Sequence, residues 1–363
     1  MKVVIVGGGV AGLSVGWRLA QSGAEVIVLE RSQPGGGASW AAAGMIAVTA
    51  ELLDAHAAEI EFARQSNALW PEFAEEVEAA SDRVVGFARK GAMILATNAT
   101  ELARLSRKAT EPGLSMIDHG QVRALAPLVT ENQVGALWSP KEAVVDNRAL
   151  GVALAYAFQR AGGRLITNEA VVRIERRNGR AAIAHTPFGL YHADVFVLAA
   201  GAWSGQLEPQ LAPITPVKGE MIALEPPQGQ RSIGSALPDQ VIWGYGVYAV
   251  PRDGRLLVGA TAEMVGFDTQ ITEEAARALR AGVENLLPAA KDWTLVDQWA
   301  GLRPRAPDGL PLLGPTSEDG LWLAGGQFRN GILFAPAIAQ SIAAQLTGKA
   351  APIAAFDPRR LKA

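Results

Sequence analysis

Val3-Val4-Ile5-Val6-Gly7-Gly8-Gly9-Val10-Ala11-Gly12 is the stretch on which the fold turns. Four apolar residues follow Met1-Lys2 and stop at Gly7, the pattern of a buried parallel strand. Gly7, Gly9 and Gly12 fit G-x-G-x-x-G. In a chain with 39 glycines that pattern is weak alone, and its surroundings give it weight. An amphipathic segment runs from Leu13 to Gln21, with Leu13, Trp17 and Ala20 on one face, and Gly23 ends it. Val26-Ile27-Val28-Leu29 reads as a second strand, with Glu30 at its end. Strand, glycine turn, helix, strand and terminal acid form a dinucleotide-binding βαβ unit. Gly7 allows the tight turn, Gly9 lets the backbone approach a pyrophosphate at the helix N-terminus, and Gly12 permits close packing of helix on strand. Glu30 suits a ribose 2′-OH and disfavours a 2′-phosphate, hence NADP.

The chain has 363 residues, 49% hydrophobic and 19% charged, enough for a large core and far from the composition of a disordered chain. Net charge is −3 and no Lys/Arg run exceeds a pair, so a nucleic-acid surface is not expected. With no cysteine, disulfides, thiolate metal sites, iron–sulfur clusters and thioether-linked cofactors drop out. The four histidines, His56, His119, His185 and His192, show no metal-ligand spacing, and no metal is expected. No apolar run approaches the ~18 residues of a membrane span, and the short first run is no signal peptide, so a cytoplasmic protein is expected.

Beyond Glu30, Arg31 to Gly44 reads RSQPGGGASWAAAG, a loop of small residues that permits close approach to a second phosphate and a flat ring. Val171–Arg177 and Arg180–Thr186 read as strands joined by Asn178-Gly179, a strong hairpin signal. A run from Asp194 to Leu198 then leads into Ala199-Ala200-Gly201-Ala202-Trp203. A β-meander returning to a strand that ends in small residues beside the nucleotide, at Gly201 and Trp203, fits a flavoprotein better than a nicotinamide dehydrogenase. Helices are expected over 51–80, 100–109, 149–161 and 272–287, strand material over 86–97, and short strands between Pro216 and Gly259. The last part reads as strand (321–324), glycine turn and helix (332–346), which would bring a second helix N-terminus to the cofactor. The fold class is therefore α/β: a Rossmann-like domain built from 1–85, 146–215 and 300–363, with an inserted, mainly antiparallel β substrate domain from 86–145 and 216–299.

Four stretches carry a resemblance. They are the glycine turn with Glu30, then Ser39-Trp40-Ala41-Ala42-Ala43-Gly44-Met45, then Tyr248-Ala249-Val250-Pro251-Arg252 with Leu257-Val258-Gly259-Ala260-Thr261. The fourth joins Trp299-Ala300-Gly301-Leu302-Arg303-Pro304, Pro307-Asp308-Gly309-Leu310-Pro311 and Phe328-Arg329-Asn330-Gly331-Ile332-Leu333. In this order the chain resembles the D-amino-acid oxidase and glycine oxidase family of FAD-dependent amine oxidoreductases, above all the bacterial glycine oxidases of thiamin biosynthesis. The resemblance implies a D-amino-acid-oxidase-like fold and FAD contacts at Val10, Ala11, Glu30, Arg31, Ala38, Ser39, Ala43, Gly44 and Met45. It also implies an adenine-side contact at Val171 and a segment from Gln327 to Leu333, including Phe328, Asn330, Gly331 and Ile332, under the isoalloxazine. Tyr248, Arg303 and Arg329 match substrate-binding positions. A guanidinium at Arg303 suits a bidentate grip on a carboxylate. Arg329 equally suits a turn cap or a hold on flavin O2.

The implied activity is oxidation of glycine or another small amino acid by hydride transfer from Cα to flavin N5. The imine then hydrolyses to a 2-oxo acid and ammonia, and O2 is reduced to H2O2. Ala41 stands where related dimethylglycine-type dehydrogenases carry a flavin-linked histidine, so the FAD is expected to be non-covalent. Gly246, Ala262 and Gln327 depart from the family's histidine, methionine and histidine. The first two changes leave a roomier pocket, so sarcosine, D-alanine or D-proline are alternative substrates, and a dehydrogenase with another electron acceptor is the alternative activity. A tRNA-modifying FAD module of this fold would need a basic surface. A homo-oligomer stays open.

Overall fold

The first strand, Lys2–Val6, has buried residues on both faces, and what covers each face sets the architecture. In the computed structural model, which describes residues 1–227 and 237–361, it lies within a six-stranded sheet. The order is Leu312–Pro315, Leu321–Gly325, Val195–Leu198, Lys2–Val6, Glu25–Leu29, Arg164–Ile166. All neighbours are parallel except the edge strand Leu312–Pro315. Successive side chains point to opposite faces. Val3 and Ile5 join a core with Leu13, Trp17, Phe158 and Ile338, contributed by the helices Val10–Gln21, Asn147–Arg160 and Ala335–Leu346. Val4 and Val6 join another with Ile174, Ala181 and Phe196, where the meander Arg173–Arg177, Arg180–His185, Leu190–His192 covers the sheet. Burial of each such aliphatic side chain favours the fold by about 1.5–3 kcal/mol. Asn178 and Gly179 turn the hairpin with φ of 51° and 77°, the two positive values that a two-residue type I′ turn needs.

The second sheet has eight strands in the order Thr294–Arg305, Thr215–Glu225, Arg255–Gly259, Val247–Arg252, Val241–Gly244, Ala92–Ala96, Gly135–Ser139, Ser115–Ile117. It is antiparallel save for the pair Val241–Gly244 and Ala92–Ala96. Period-two alternation again divides it. Ile222, Leu224, Val247, Ala249 and Val258 pack with Leu279, Val283 and Leu286 of the helix Glu273–Leu286. Met221, Ala223, Tyr248, Val250 and Trp299 point the other way and meet Ala41 and Ala43 from the loop after the second strand. That opposite face confronts the first unit, and the cavity described below lies there.

Several elements differ from the sequence reading. The helix expected over 51–80 is two: a short turn Val48–Glu51, then Ala57–Ser81, with His56 Nδ1 accepting from Ala58 N at 3.2 Å as a cap. Apolar spacing carries through the break, but Glu51 is held by cavity contacts. The last helix begins at Ala335, with Pro336 in its first turn, because residues 330–334 are taken by tight turns such as Phe334 N to Asn330 O. It therefore starts three residues later than the pattern implies. Strand Thr294–Arg305 belongs wholly to the eight-stranded sheet and runs past residue 300. The part of the 216–259 strand region at 228–236, and residues 362–363, lie outside the described residues. Among the described residues no helix is long and apolar enough to cross a membrane.

Candidate active site

A cavity of about 640 Å³ runs from the glycine turn to the face of the eight-stranded sheet. Its near end is built by the first βαβ unit. Gly7 has φ 108° and lies so close to Ala199 that a Cβ would overlap the Ala199 carbonyl. Gly9 precedes the helix Val10–Gln21, and Gly9, Val10 and Ala11 all line the cavity, which places the helix N-terminus on it. Val10 N donates to Ser39 Oγ at 2.9 Å, which ties the helix start to the small-residue loop. Glu30 is fixed: its Oε2 accepts from Gly8 N at 2.7 Å and its Oε1 from Ser32 N at 2.9 Å. The guanidinium of Arg31 stacks on Trp203, 3.4 Å from the ring centroid.

The loop beyond is anchored from three directions. Asn147 Nδ2 donates to the carbonyls of Ser39 at 2.7 Å and Trp40 at 2.9 Å. Trp299 Nε1 donates to Ala41 O at 2.9 Å. Arg252 donates to Asn147 Oδ1 at 2.6 Å, to Val145 O at 2.9 Å and to Ala43 O. Burial lowers the Arg252 pKa from its ordinary value, chiefly by desolvation.

At the far end Tyr248 and Arg303 stand on neighbouring parts of one sheet face. Two glycines make room for them. A Cβ on Gly259, the cross-strand partner of Tyr248, would overlap the phenol, and one on Gly219 would overlap the Arg303 guanidinium. Arg303 Nη1 donates to Thr261 O at 2.9 Å and more weakly to Lys218 O at 3.4 Å. Behind it, fully buried Lys218 pairs with Glu220 at 3.0 Å and Glu263 at 3.1 Å, and Thr261 Oγ1 donates to Glu263 at 2.6 Å. The Tyr248 phenol is pushed up to about 12 by burial, opposed by the nearby Arg303. It therefore stays a hydrogen-bond donor across the usual pH range.

Arg329 sits differently. It is 45% exposed at the mouth and bound twice to Glu51, by Nε to the carboxylate at 3.2 Å and by Nη2 to the carbonyl at 3.2 Å. Glu51 lines the cavity with a largely buried side chain, and desolvation raises its pKa against the pull of Arg329 and Arg303.

The cavity thus gathers Gly7, Gly9, Val10, Ala11, Glu30, Arg31, Ala38, Ser39, Ala43, Gly44, Met45, Val171, Gly201 and Trp203 with Tyr248, Arg303, Gln327, Phe328, Arg329, Asn330, Gly331 and Ile332. Two expected residues are not on its lining. Gly12 lies behind the turn, where a Cβ would strike the Gly7 carbonyl, so its part is packing. Leu333 is buried in the helical core, and its carbonyl accepts from Ser66 Oγ at 2.6 Å and Trp70 Nε1 at 3.0 Å. Sequence reasoning missed Glu51, Gly219, Arg252 and Trp243, whose ring lines the cavity 4.8 Å from that of Tyr248. Arg252 lay within a quoted motif, whereas Gly219 shows its meaning only once strand register is known.

The lining fits FAD. The glycine turn leaves no room for side chains, and the acid at Glu30 is pre-set. Gln327 Nε2 and Asn330 Oδ1 are buried polar atoms without a protein partner among the described residues. Such orphans call for a ligand or water.

Residues 2–345 match the family described as FAD dependent oxidoreductase, and the chain belongs to that family. Among its relatives is the bifunctional protein ThiO/ThiG of Synechocystis, 36% identical over 99% of this chain; the chain spans 54% of that protein's length. The glycine oxidase of Pseudomonas aeruginosa is 34% identical over 96% of this chain and 95% of its own. The crystal structure of glycine oxidase from Geobacillus kaustophilus superposes with a TM-score of 0.92 at 32% identity, covering all of both chains.

Proposed function

We propose that the protein oxidises glycine or another small amino acid, with Arg303 and Tyr248 holding the substrate carboxylate. The observation that carries this reading is a guanidinium and a protonated phenol on one cavity face, with Arg303 braced by the Thr261 carbonyl at 2.9 Å. A braced guanidinium loses little freedom on gripping a carboxylate, and its planar fork fixes orientation. The glycine turn and the helix start at Val10 would hold the FAD pyrophosphate, Glu30 the ribose, and Val171 the adenine side. The segments Ala38–Met45 and Gln327–Ile332 would flank the flavin ring. FAD, when bound, supplies the hydride acceptor for the substrate Cα–H. The protein's share is orientation and charge: no general base is required if the amine arrives unprotonated. The imine product would hydrolyse to a 2-oxo acid and ammonia, and O2 would be the electron acceptor.

A second reading, a broader amine range, has support of its own. A Cβ on Gly246, whose φ of 77° favours glycine, would meet nothing within 4 Å, and Gly246 and Ala262 both line the cavity. Sarcosine, D-alanine and D-proline are then candidates beside glycine. The deciding experiment is a panel of amines assayed for H2O2 and, in parallel, for dye reduction. Turnover with H2O2 supports an oxidase, dye reduction without H2O2 a dehydrogenase, and no turnover of any amino acid defeats the reading.

A further inference from the structure

Glu142 is 1% exposed, lies outside the cavity lining, and precedes the short strand Ala143–Val144. Its Oε1 accepts from Thr49 N at 2.6 Å and from Ala50 N at 3.3 Å. Those are the amides of the turn Val48–Glu51, whose N-terminal residue Ala47 brings no capping side chain. The last residue of the turn is Glu51, which grips Arg329 by both its carboxylate and its carbonyl at the cavity mouth. A four-residue turn has almost no intrinsic stability, so an acceptor at its first amides decides its shape.

We propose that Glu142 is a positioning residue for the substrate end of the cavity: by capping the turn Val48–Glu51 it holds Glu51 against Arg329 and fixes the mouth through which the amino acid enters. The proposal rests on the reading above that this end of the cavity takes the substrate. The contacts link into one path. Glu142 orders the amides of Thr49 and Ala50, the turn sets the Glu51 backbone, and Glu51 sets Arg329. Thr49 Oγ1 also donates to Ser139 Oγ at 3.4 Å, a weak contact that leaves Glu142 as the main tether. Both protonation states of Glu142 offer the Oε1 acceptor, and its Oε2 has no hydrogen-bond partner among the described residues. A glutamine can therefore replace it in this task, whereas a leucine of similar size cannot.

The test uses the flavin-loaded protein and three variants, Glu142→Leu, Glu142→Ala and Glu142→Gln, each also combined with Glu51→Gln. Hydrogen exchange over residues 47–52 should show protected amides in the wild type, faster exchange in the leucine and alanine variants, and restored protection in the glutamine variant. KM for the best amino acid should rise about five- to tenfold in Glu142→Leu with kcat within twofold, and glutamine should recover it. In the Glu51→Gln background, where the backbone carbonyl contact to Arg329 remains, the leucine change should add less than it does alone, because the two changes share one path to Arg329. Fast exchange at 47–52 in the wild type, KM effects that multiply in the double variant, or a leucine variant with wild-type KM and exchange would each overturn the proposal. A wild type that oxidises no amino acid would defeat the substrate reading instead, and the exchange data would still decide the cap.

Discussion

A carboxylate in a partly dry cavity needs a charged, hydrogen-bonding partner, and Arg303 offers one, braced by the carbonyls of Thr261 and Lys218. Removing it strands the substrate charge at a cost of roughly 3–5 kcal/mol, a loss of about 10² to 10³ or more in kcat/KM for Arg303→Ala. Arg303→Lys should recover only part, since a point charge cannot reproduce the fork. Flavin content should stay near normal, because the partners of Arg303 are the Thr261 and Lys218 carbonyls on the substrate side. Steady-state kinetics and the flavin-to-protein absorbance ratio check both statements; an alanine variant within a few-fold of wild type would remove the residue from its role. Pocket breadth belongs to this scale too. Turnover of sarcosine or a small D-amino acid beside glycine is expected, and Ala262→Met should narrow the range by filling the rim. An enzyme confined to glycine, with Ala262→Met unchanged, would count against the volume argument. Arg303 and Tyr248 were legible in their motifs. Gly219 and Gly259 were not, because the reason for each is a neighbour across the sheet that only the register reveals.

Elements carry a different kind of consequence, and the turn Val48–Glu51 is the clearest. Glu142, which tethers it, has its carboxyl pushed up to about 7 by desolvation, against hydrogen bonds from Thr49, Ala50 and Ser139 that carry no charge. Below pH 4.5 the group holds its proton in both the folded and unfolded chain. As pH rises from there towards 7, the unfolded chain ionises while the folded one keeps its proton, so stability is lost across that window. The loss amounts to roughly 3 kcal/mol and levels off once the folded form has ionised. Glu142→Gln cannot titrate. Its stability relative to wild type should therefore grow from pH 4.5 to 7 and then stay constant, as read from denaturant midpoints at each pH. Parallel profiles for the two proteins would rule out a buried, proton-retaining Glu142. This tether was invisible in sequence for a plain reason: Glu142 and Thr49 lie 93 positions apart, and no local pattern pairs them. The first βαβ unit was legible because each of its signals, the apolar run, the glycine spacing and the terminal acid, is local. The helix expected over 51–80 failed at its start for the converse reason, since a tertiary contact at Glu51 overrode the apolar spacing.

Across the whole molecule, the cavity lies where the six-stranded sheet's glycine turn meets one face of the eight-stranded sheet, so an FAD filling it would touch both. A ligand that binds only the folded state stabilises it by RT ln(1 + [L]/Kd), about 2.7 kcal/mol at a hundredfold excess over Kd. This linkage requires that the cofactor can leave. Among the described residues no histidine or cysteine lines the cavity. Ala41, on the turn nearest Trp299, has a methyl group so close to Gly301 that a Cβ there would crowd it, and a methyl cannot bond to a flavin. The hydroxyl of Tyr248 stays protonated at ordinary pH, with its pKa pushed up to about 12, and is a poor nucleophile in that state. FAD should therefore be held without a covalent bond. Acid precipitation should release all the yellow colour into the supernatant, and the apoprotein prepared by mild flavin removal should melt several degrees below the holoprotein. Its Tm should climb with added FAD in a concentration-dependent way, while added NADP should leave it unmoved, because Glu30 at a ribose site would repel a 2′-phosphate. Colour retained in the acid pellet would mean a covalent link that this lining does not explain. A Tm indifferent to FAD would mean that FAD does not bind the folded apoprotein.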